Sequence, residues 1–454
     1  MLLIGFNILA QNNCKEVIGY YPNWQWYDRN KLVNPESINY SKYTIINYSF
    51  VYPLADGTIT LTDPWADKNL LLGSINWGTA PAGYDSSYDL GNAAYHNPNT
   101  SLIYHAHQND VPVMISIGGW TLSDDFPSIA ATPAYRTNFA HWCNELVRTY
   151  NIDGIDIDWE YPGYAAHGGT TEDITNYTLL LKEVRDSLNV LESETGNNLM
   201  LTAAFSGDPE KMDDIDWDEV VPLLDYINLM SYDFFGAFDS ETNHNSPLYA
   251  PQNGNPEFNC NNAIQNLTED YNVPAEKINL GVAFYGRSVK TNGAPTLHGP
   301  TTLTADLATF SADEGTPLYY NILQQMNLFD YNWDATAQVP YLTGNNGLNT
   351  FLSYDNERSI GLKGQYIVQQ GDICRFESFV IKGCLKTFYV NNEGQEHVVL
   401  FAIENWWTAD LGSFLTQKPA DYNVQCIENT EVIQFSFDKM ELLYQEIPKL
   451  ERFF

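Results

Sequence analysis

Between Ile152 and Gly163 the chain reads IDGIDIDWEYPG, where Asp156, Asp158 and Glu160 alternate with Ile155, Ile157 and Trp159. In a β-strand, successive side chains point to opposite faces, so one face carries three carboxyl groups and the other three apolar groups. Same-face neighbours lie about 6.6 Å apart, which makes a ladder with Glu160 nearest the strand's carboxyl end. Like charges at such range do not all ionise easily, so a proton is shared and at least one pKa rises. A carboxylic acid still protonated near neutral pH at a cleft floor is suited to general acid catalysis. The plainer reading is a solvated acidic edge. Asp153-Gly154 before the run and Tyr161-Pro162-Gly163 after it favour a buried parallel strand between a tight turn and a loop.

Such a ladder needs a frame, and strand-like runs recur through the chain with helical patterns between them. Strands are predicted over Val17 to Tyr21, Tyr43 to Tyr52, Val111 to Ile117, the acidic run itself, Leu199 to Phe205, Tyr226 to Tyr232 and Ile278 to Tyr285. Tyr135, Phe139, Trp142, Leu146 and Val147 fall at helical spacing, as do Leu180, Leu181, Val184 and Leu188 within Tyr177 to Leu191. Apolar strands alternating with helices imply α/β architecture with a parallel sheet, and this many imply a (β/α)₈ TIM-type barrel. In such barrels the chemistry lies at the carboxyl ends of the strands. Tyr21, Phe50, Trp120, Glu160, Phe205, Met230, Tyr232, Asp233, Tyr285 and Arg287 fall at those ends.

The spacing Asp153, Asp156, Asp158, Glu160 is DxxDxDxE. With SIGGW ending at Trp120, MSYDFFG around Tyr232 and FYGRS around Arg287, it resembles glycoside hydrolase family 18, the chitinase family, over roughly residues 14–370. The resemblance implies a retaining hydrolase of β-1,4-linked N-acetylglucosamine polymers that uses neither metal nor organic cofactor. Family 18 is among the substrate-assisted exceptions to the usual two-carboxylate arrangement. Glu160 would then protonate the glycosidic oxygen, and the substrate's acetamido oxygen would attack the anomeric carbon, oriented by Asp158 and Tyr232. Asp156 would share a proton with Asp158, while Tyr21, Phe50, Trp120, Met230, Asp233, Tyr285 and Arg287 would bind substrate. The partner implied is chitin or N-acetylglucosamine oligosaccharides. Residues 289–352 sit where many members insert a small α+β domain.

The resemblance stops after SYDNERSIGLKGQYIVQQ, where the family would supply an eighth strand of the type GGxMxWE. The last barrel strand is thus expected to be missing. Residues 371–454 instead carry short alternating strands, with a turn at Asn391-Asn392-Glu393-Gly394, and read as an all-β roll. Phe379 and Ile381 alternate there with Val380 and Lys382. This segment resembles the sensor domain of bacterial cyclic-nucleotide-binding regulators of the catabolite-activator type. The phosphate-binding cassette, with its arginine, is not present around Trp407 to Ala420, which argues against cyclic-nucleotide binding. The alternatives left open are an endo-β-N-acetylglucosaminidase, a catalytically silent chitin-binding protein, a regulator's sensor fragment, and a fusion of unrelated reading frames.

The bulk properties set outer bounds. A formal net charge of −35 argues against nucleic acid and anionic membrane as partners, but not against a neutral polysaccharide. The six cysteines are widely scattered, with neither a zinc spacing nor a dense disulfide framework, and Cys143 reads as a buried thiol. Residues 1–12 resemble the end of a secretory signal peptide without its basic n-region, which implies a secreted or periplasmic protein. No later stretch is long and apolar enough to span a membrane.

Overall fold

The structure, a computed structural model, describes residues 16–311, 315–369, 376–390, 396–409, 422–426 and 431–436. The signal-like residues 1–12, the turn at Asn391 to Gly394 and most of the expected cassette region lie outside them. The chain divides into two units, Lys15–Asn356 and a second that begins at Glu357.

The first unit is built on seven parallel strands in chain order. These are β1 (Ile18–Pro22), β2 (Ile45–Pro53), β3 (Val113–Gly118), β4 (Gly154–Asp158), β5 (Met200–Ser206), β6 (Tyr226–Met230) and β7 (Ile278–Leu280). Strands β3 and β4 are buried along their whole length, as parallel strands covered on both faces must be. Among the described residues, no strand pairs with the outer edge of β1 or of β7, so the sheet is a TIM-type barrel lacking one stave.

The two long helices follow from their sequences. Helix α1 (Pro133–Tyr150) has Pro at its first turn and ends on Asn151 in the left-handed conformation (φ 56°), whose N–H reaches Val147 O at 2.8 Å. It buries Phe139, Ala140, Cys143, Leu146, Val147 and Tyr150, one stripe of a 3.6-residue repeat. Helix α2 (Asp173–Thr195) ends on Gly196 (φ 76°) and buries Tyr177, Leu180, Leu181, Val184, Leu188 and Leu191. Both stripes join one hydrophobic core with the outward faces of the strands. Among the described residues, no helix is long and apolar enough to cross a membrane.

Two expectations need correction. The seventh strand ends at Leu280, not Tyr285. Gly286 to Lys290 forms a separate strand β8, which pairs antiparallel with β11 (Thr350–Tyr354) in a four-stranded sheet with β9 (Phe329–Asp334) and β10 (Val339–Gly344). The acidic strand likewise stops at Asp158, so Glu160 lies in the following loop. The cause is tertiary: the Asp158 carbonyl accepts from the Gly119 N–H (2.7 Å), and the Glu160 N–H is taken by the Ser123 hydroxyl (2.9 Å) instead of a neighbouring strand.

The second unit opens with a helix, Glu357–Gln369, followed by two three-stranded antiparallel sheets. One joins Phe376–Lys382 to Trp407–Thr408 and Glu431–Ser436; the other joins Leu385–Val390 to Glu396–Ala402 and Asn423–Cys426. In the first strand the alternation resolves as one buried and one outward face. Val380 is buried with Leu385 and Ala402, while Ile381 is exposed. A one-residue difference in register moves every side chain to the other face, and the residue types here leave that parity ambiguous.

Asp153, the first acid of the motif, sits just before β4, at the other end of the strand from Asp158. Its Oδ2 accepts from the Val113 N–H and pairs with His107 Nε2, both at 2.8 Å, tying the starts of β3 and β4 to the helix before them. Hydrogen bonding from His107 to Asp153 raises the imidazole pKa above its ordinary value. A raised folded pKa gives stability that is full below the unfolded value and is lost as pH rises through the folded one. Asp153→Ala is therefore expected to destabilise the protein by about 1–3 kcal/mol. Urea titrations should show a larger loss at about pH 6 than at about pH 9; an equal loss at both would place the stabilisation in the Val113 N–H bond alone.

Candidate active site

Strand register builds the site. Ser116 on β3, Asp156 on β4 and Thr202 on β5 are direct neighbours across the sheet, so all three face the barrel lumen. Asp156 is fully buried, and four hydroxyl or amide donors converge on it. Thr202 Oγ1 (2.5 Å) and Asn228 Nδ2 (3.0 Å) reach Oδ1, while Ser116 Oγ (2.7 Å) and Tyr20 Oη (2.8 Å) reach Oδ2. Burial raises the Asp156 pKa, and these four bonds pull it back. Its neighbour on the ladder, Asp158, does not reach it through Oδ1, which makes no hydrogen bond.

Asp158 is the next rung. It is buried, and its Oδ1 has no hydrogen-bond partner. Burial first, then the negative charges of Glu160 and Asp156, hold its pKa well above the carboxylate range. Across the sheet its neighbour is Gly118 (φ 111°), where a Cβ would lie 2.2 Å from the Asp158 carbonyl oxygen. The first glycine of SIGGW is therefore required by close backbone approach.

Glu160 is half-buried at the loop's start. Burial pushes its carboxyl up to about 7; Tyr161 opposes this, Asp233 adds to it, and the Trp120 N–H and Arg287 pull it down. Beside the carboxyls stands Tyr232, whose pKa is raised by burial and then by Asp158, Asp233 and Glu160. Its ring occupies space that a side chain on Gly281 would fill, with Cε1 only 2.7 Å from an ideal Cβ there. Tyr285 packs edge-on against Tyr232 and donates to Asp233 Oδ2 at 2.8 Å. Arg287 binds the same carboxylate in bidentate fashion, Nε to Oδ1 at 2.7 Å and Nη2 to Oδ2 at 2.6 Å. Strand β8 thus reaches back to the loop after β6.

Of the other expected residues, Trp120 is 51% exposed beside the Glu160 loop. Phe50 is half-buried, stacks on Trp24 at 6.3 Å and lies against Gly119. Met230 is half-buried at the end of β6, two residues beyond Asn228 on the same face. Tyr21 does not join the site: it is buried on the outer face, stacked on Tyr48, with its hydroxyl on Val33 O. The adjacent Tyr20 takes the place facing Asp156. Tyr20, Ser116, Thr202 and Asn228 were not singled out from sequence, although Ser116 and Thr202 stand as lone polar residues inside apolar runs. Among the described residues, no group of three or more His, Cys, Asp or Glu side chains is arranged to hold a metal ion.

Thr202→Val keeps the shape of the side chain but removes one donor from a buried carboxylate. Loss of a bond to a charged group is expected to cost about 1.5–3 kcal/mol in urea unfolding. An unchanged midpoint would mean that Asp156 is neutral in the native state.

The Glycosyl hydrolases family 18 profile matches residues 16–373, and the cyclic nucleotide-binding domain profile matches residues 362–446. Chitinase A1 of Niallia circulans is 32% identical over 400 residues, covering 78% of this chain and 55% of that protein. The chain thus spans little more than half the length of that relative, and 60% of Chitinase 1 from Aphanocladium album, to which it is 35% identical over 273 residues. Among solved structures, the Group IV chitinase of Ostrinia furnacalis superposes with a TM-score of 0.63 at 28% identity, covering 78% of this chain and 89% of that one. With the profile matched over most of its length, the chain belongs to glycoside hydrolase family 18.

Proposed function

We propose that this chain is a chitinase-like retaining hydrolase that cleaves β-1,4-N-acetylglucosamine linkages by substrate-assisted catalysis. The observation that carries the reading is the pairing of Glu160, whose carboxyl is held up to about 7, with a neighbouring buried Asp158 whose Oδ1 is unoccupied. Glu160 gives its proton to the glycosidic oxygen as that C–O bond breaks. The substrate's acetamido oxygen forms the new bond to the anomeric carbon. Asp158 Oδ1 accepts the acetamido N–H, which makes the carbonyl oxygen a better nucleophile, and Tyr232 holds that group in place. The Glu160 carboxylate then takes a proton from the water that opens the cyclic intermediate. Asp156, with four donors already engaged, acts from below as a fixed negative charge that keeps Asp158 protonated or hydrogen-bonded.

Trp120, Phe50, Met230, Asp233, Tyr285 and Arg287 bind sugar in this reading, and chitin or its oligosaccharides are the substrate. The names of the relatives support that substrate class. The barrel with its insertion at 289–352 carries the reaction, and the roll from 371 onward forms a separate domain that does not require cyclic nucleotide. A secreted or periplasmic location fits an insoluble polysaccharide substrate.

The primary test is turnover of a fluorogenic chitobioside by the chain as written. Glu160→Gln keeps the shape and removes the acid, so kcat should fall by at least about 10²-fold. Because the acid must be protonated, the wild-type rate should fall as pH rises through about 7. A rate that climbs through that range would exclude Glu160 as the donor.

Substrate assistance makes a second demand. Cello-oligosaccharides, which lack the N-acetyl group, should be cleaved at least about 10²-fold more slowly than chito-oligosaccharides of equal length. Asp158→Asn should lower turnover on the latter. Equal cleavage of both sugars would contradict the mechanism.

A further inference from the structure

The loop after Glu160 contains a half-buried histidine with two specific contacts. His167 closes a short 3₁₀ turn, Ala165–His167, and its N–H reaches Tyr164 O at 3.0 Å. Its Nδ1 lies 2.7 Å from the Glu160 carbonyl oxygen. A carbonyl only accepts, so Nδ1 carries a proton; in the neutral ring that makes Nε2 the acceptor. The same ring packs on the indole of Trp120, with centroids 4.6 Å apart and planes at 55°. Tyr164 and Tyr161 complete the enclosure, at 5.8 and 6.4 Å from Trp120.

The Glu160 main chain is thereby held on both sides. Its N–H is taken by Ser123, and its C=O receives the His167 proton. Ser123 in turn donates to Gly119 O at 3.0 Å, so the pin on the N–H side also leads back to the loop carrying Trp120. Glu160 stands beyond the last ladder bond of β4 and gets no strand neighbour to fix it.

We propose that His167 is a positioning residue that couples the Glu160 main chain to the Trp120 ring. One imidazole nitrogen sets where the proton donor stands, and the ring face sets the tilt of an exposed aromatic platform. The consequences for turnover rest on the function proposed above; the coupling itself does not.

Two substitutions separate the contacts. His167→Asn places an amide N–H near the Nδ1 position but removes the ring. His167→Phe keeps a ring on Trp120 but removes the donor. On chito-oligosaccharides, His167→Phe should lower kcat about tenfold with KM within about twofold. His167→Asn should hold kcat within about twofold and raise KM about fivefold. Variants that change kcat and KM alike, or not at all, would overturn the proposal.

A readout independent of activity is the tautomer of His167 in the full chain. It can be read by nitrogen NMR on histidine-labelled protein at alkaline pH, with His167→Phe assigning the signal. The expected species carries its proton on Nδ1; an Nε2–H species would overturn the coupling even in an active enzyme. A wild-type chain that leaves chito-oligosaccharides intact would sink the functional reading while the tautomer still judges the coupling.

Discussion

The structure depends on a carboxyl group buried at the centre of a barrel. Removing an ionised carboxylate from water costs on the order of several kcal/mol unless its lone pairs are filled. At Asp156 they are filled by Tyr20 on β1, Ser116 on β3, Thr202 on β5 and Asn228 on β6. The donors come from four strands, so slipping any of them by one residue would turn its donor out of the lumen and strand the charge. The polar cluster thus specifies the register of the parallel sheet more sharply than the surrounding Ile, Leu and Val side chains, which tolerate repacking.

The same arrangement grades the ladder. Asp156 has every acceptor site engaged, Asp158 has an unoccupied buried oxygen, and Glu160 has left the strand for a half-exposed loop. Three carboxyls spaced along one face consequently occupy three electrostatic environments. Crowding alone would raise one pKa somewhere on the ladder. The gradient of burial and donors assigns the protonation, with the group nearest the open end poised near neutrality. Asp233 serves a different end: held by both Arg287 and Tyr285, it is an electrostatic clamp between the loop after β6 and strand β8.

Much of this was legible in the sequence, because periodicity and residue type carry local structure well. The seven strands, both long helices and the lumen-facing Asp156 and Asp158 follow from alternation and helical spacing. Parity and termination were harder. Tyr20 and Tyr21 are the same residue type, and only the register with β2 shows which one faces Asp156. Val380 and Ile381 pose the same ambiguity in the second unit. Beyond the ends of β4 and β7 the backbone bonds to Gly119, Ser123 and Leu229, contacts distant in sequence that no local pattern encodes. Asn228 is legible only as a polar residue in a strand, since its role needs partners 72 and 208 positions away.

The missing stave makes that cluster matter further. A parallel barrel lacking one strand has two backbone edges with unpaired donors and acceptors, and such edges invite slippage or aggregation. Among the described residues, β1 and β7 have no backbone partner on those edges. They are nevertheless tied through the lumen. Asn279 on β7 donates to Asn228 Oδ1 at 3.1 Å, and Asn228 Nδ2 lies 3.2 Å from the hydroxyl of Tyr20 on β1. The Asp156 carboxylate, which only accepts, orients the Asn228 amide: its nitrogen faces Asp156, and its oxygen is turned to β7. A thread of side-chain bonds therefore runs from one edge strand to the other across the open side and passes through the central carboxylate. No described strand closes the backbone ring, yet the lumen that positions Asp156 and Asp158 is crossed by hydrogen bonds among the residues that satisfy the buried charge. The cost of burying Asp156 and the geometry of the open barrel are thus met by one set of contacts.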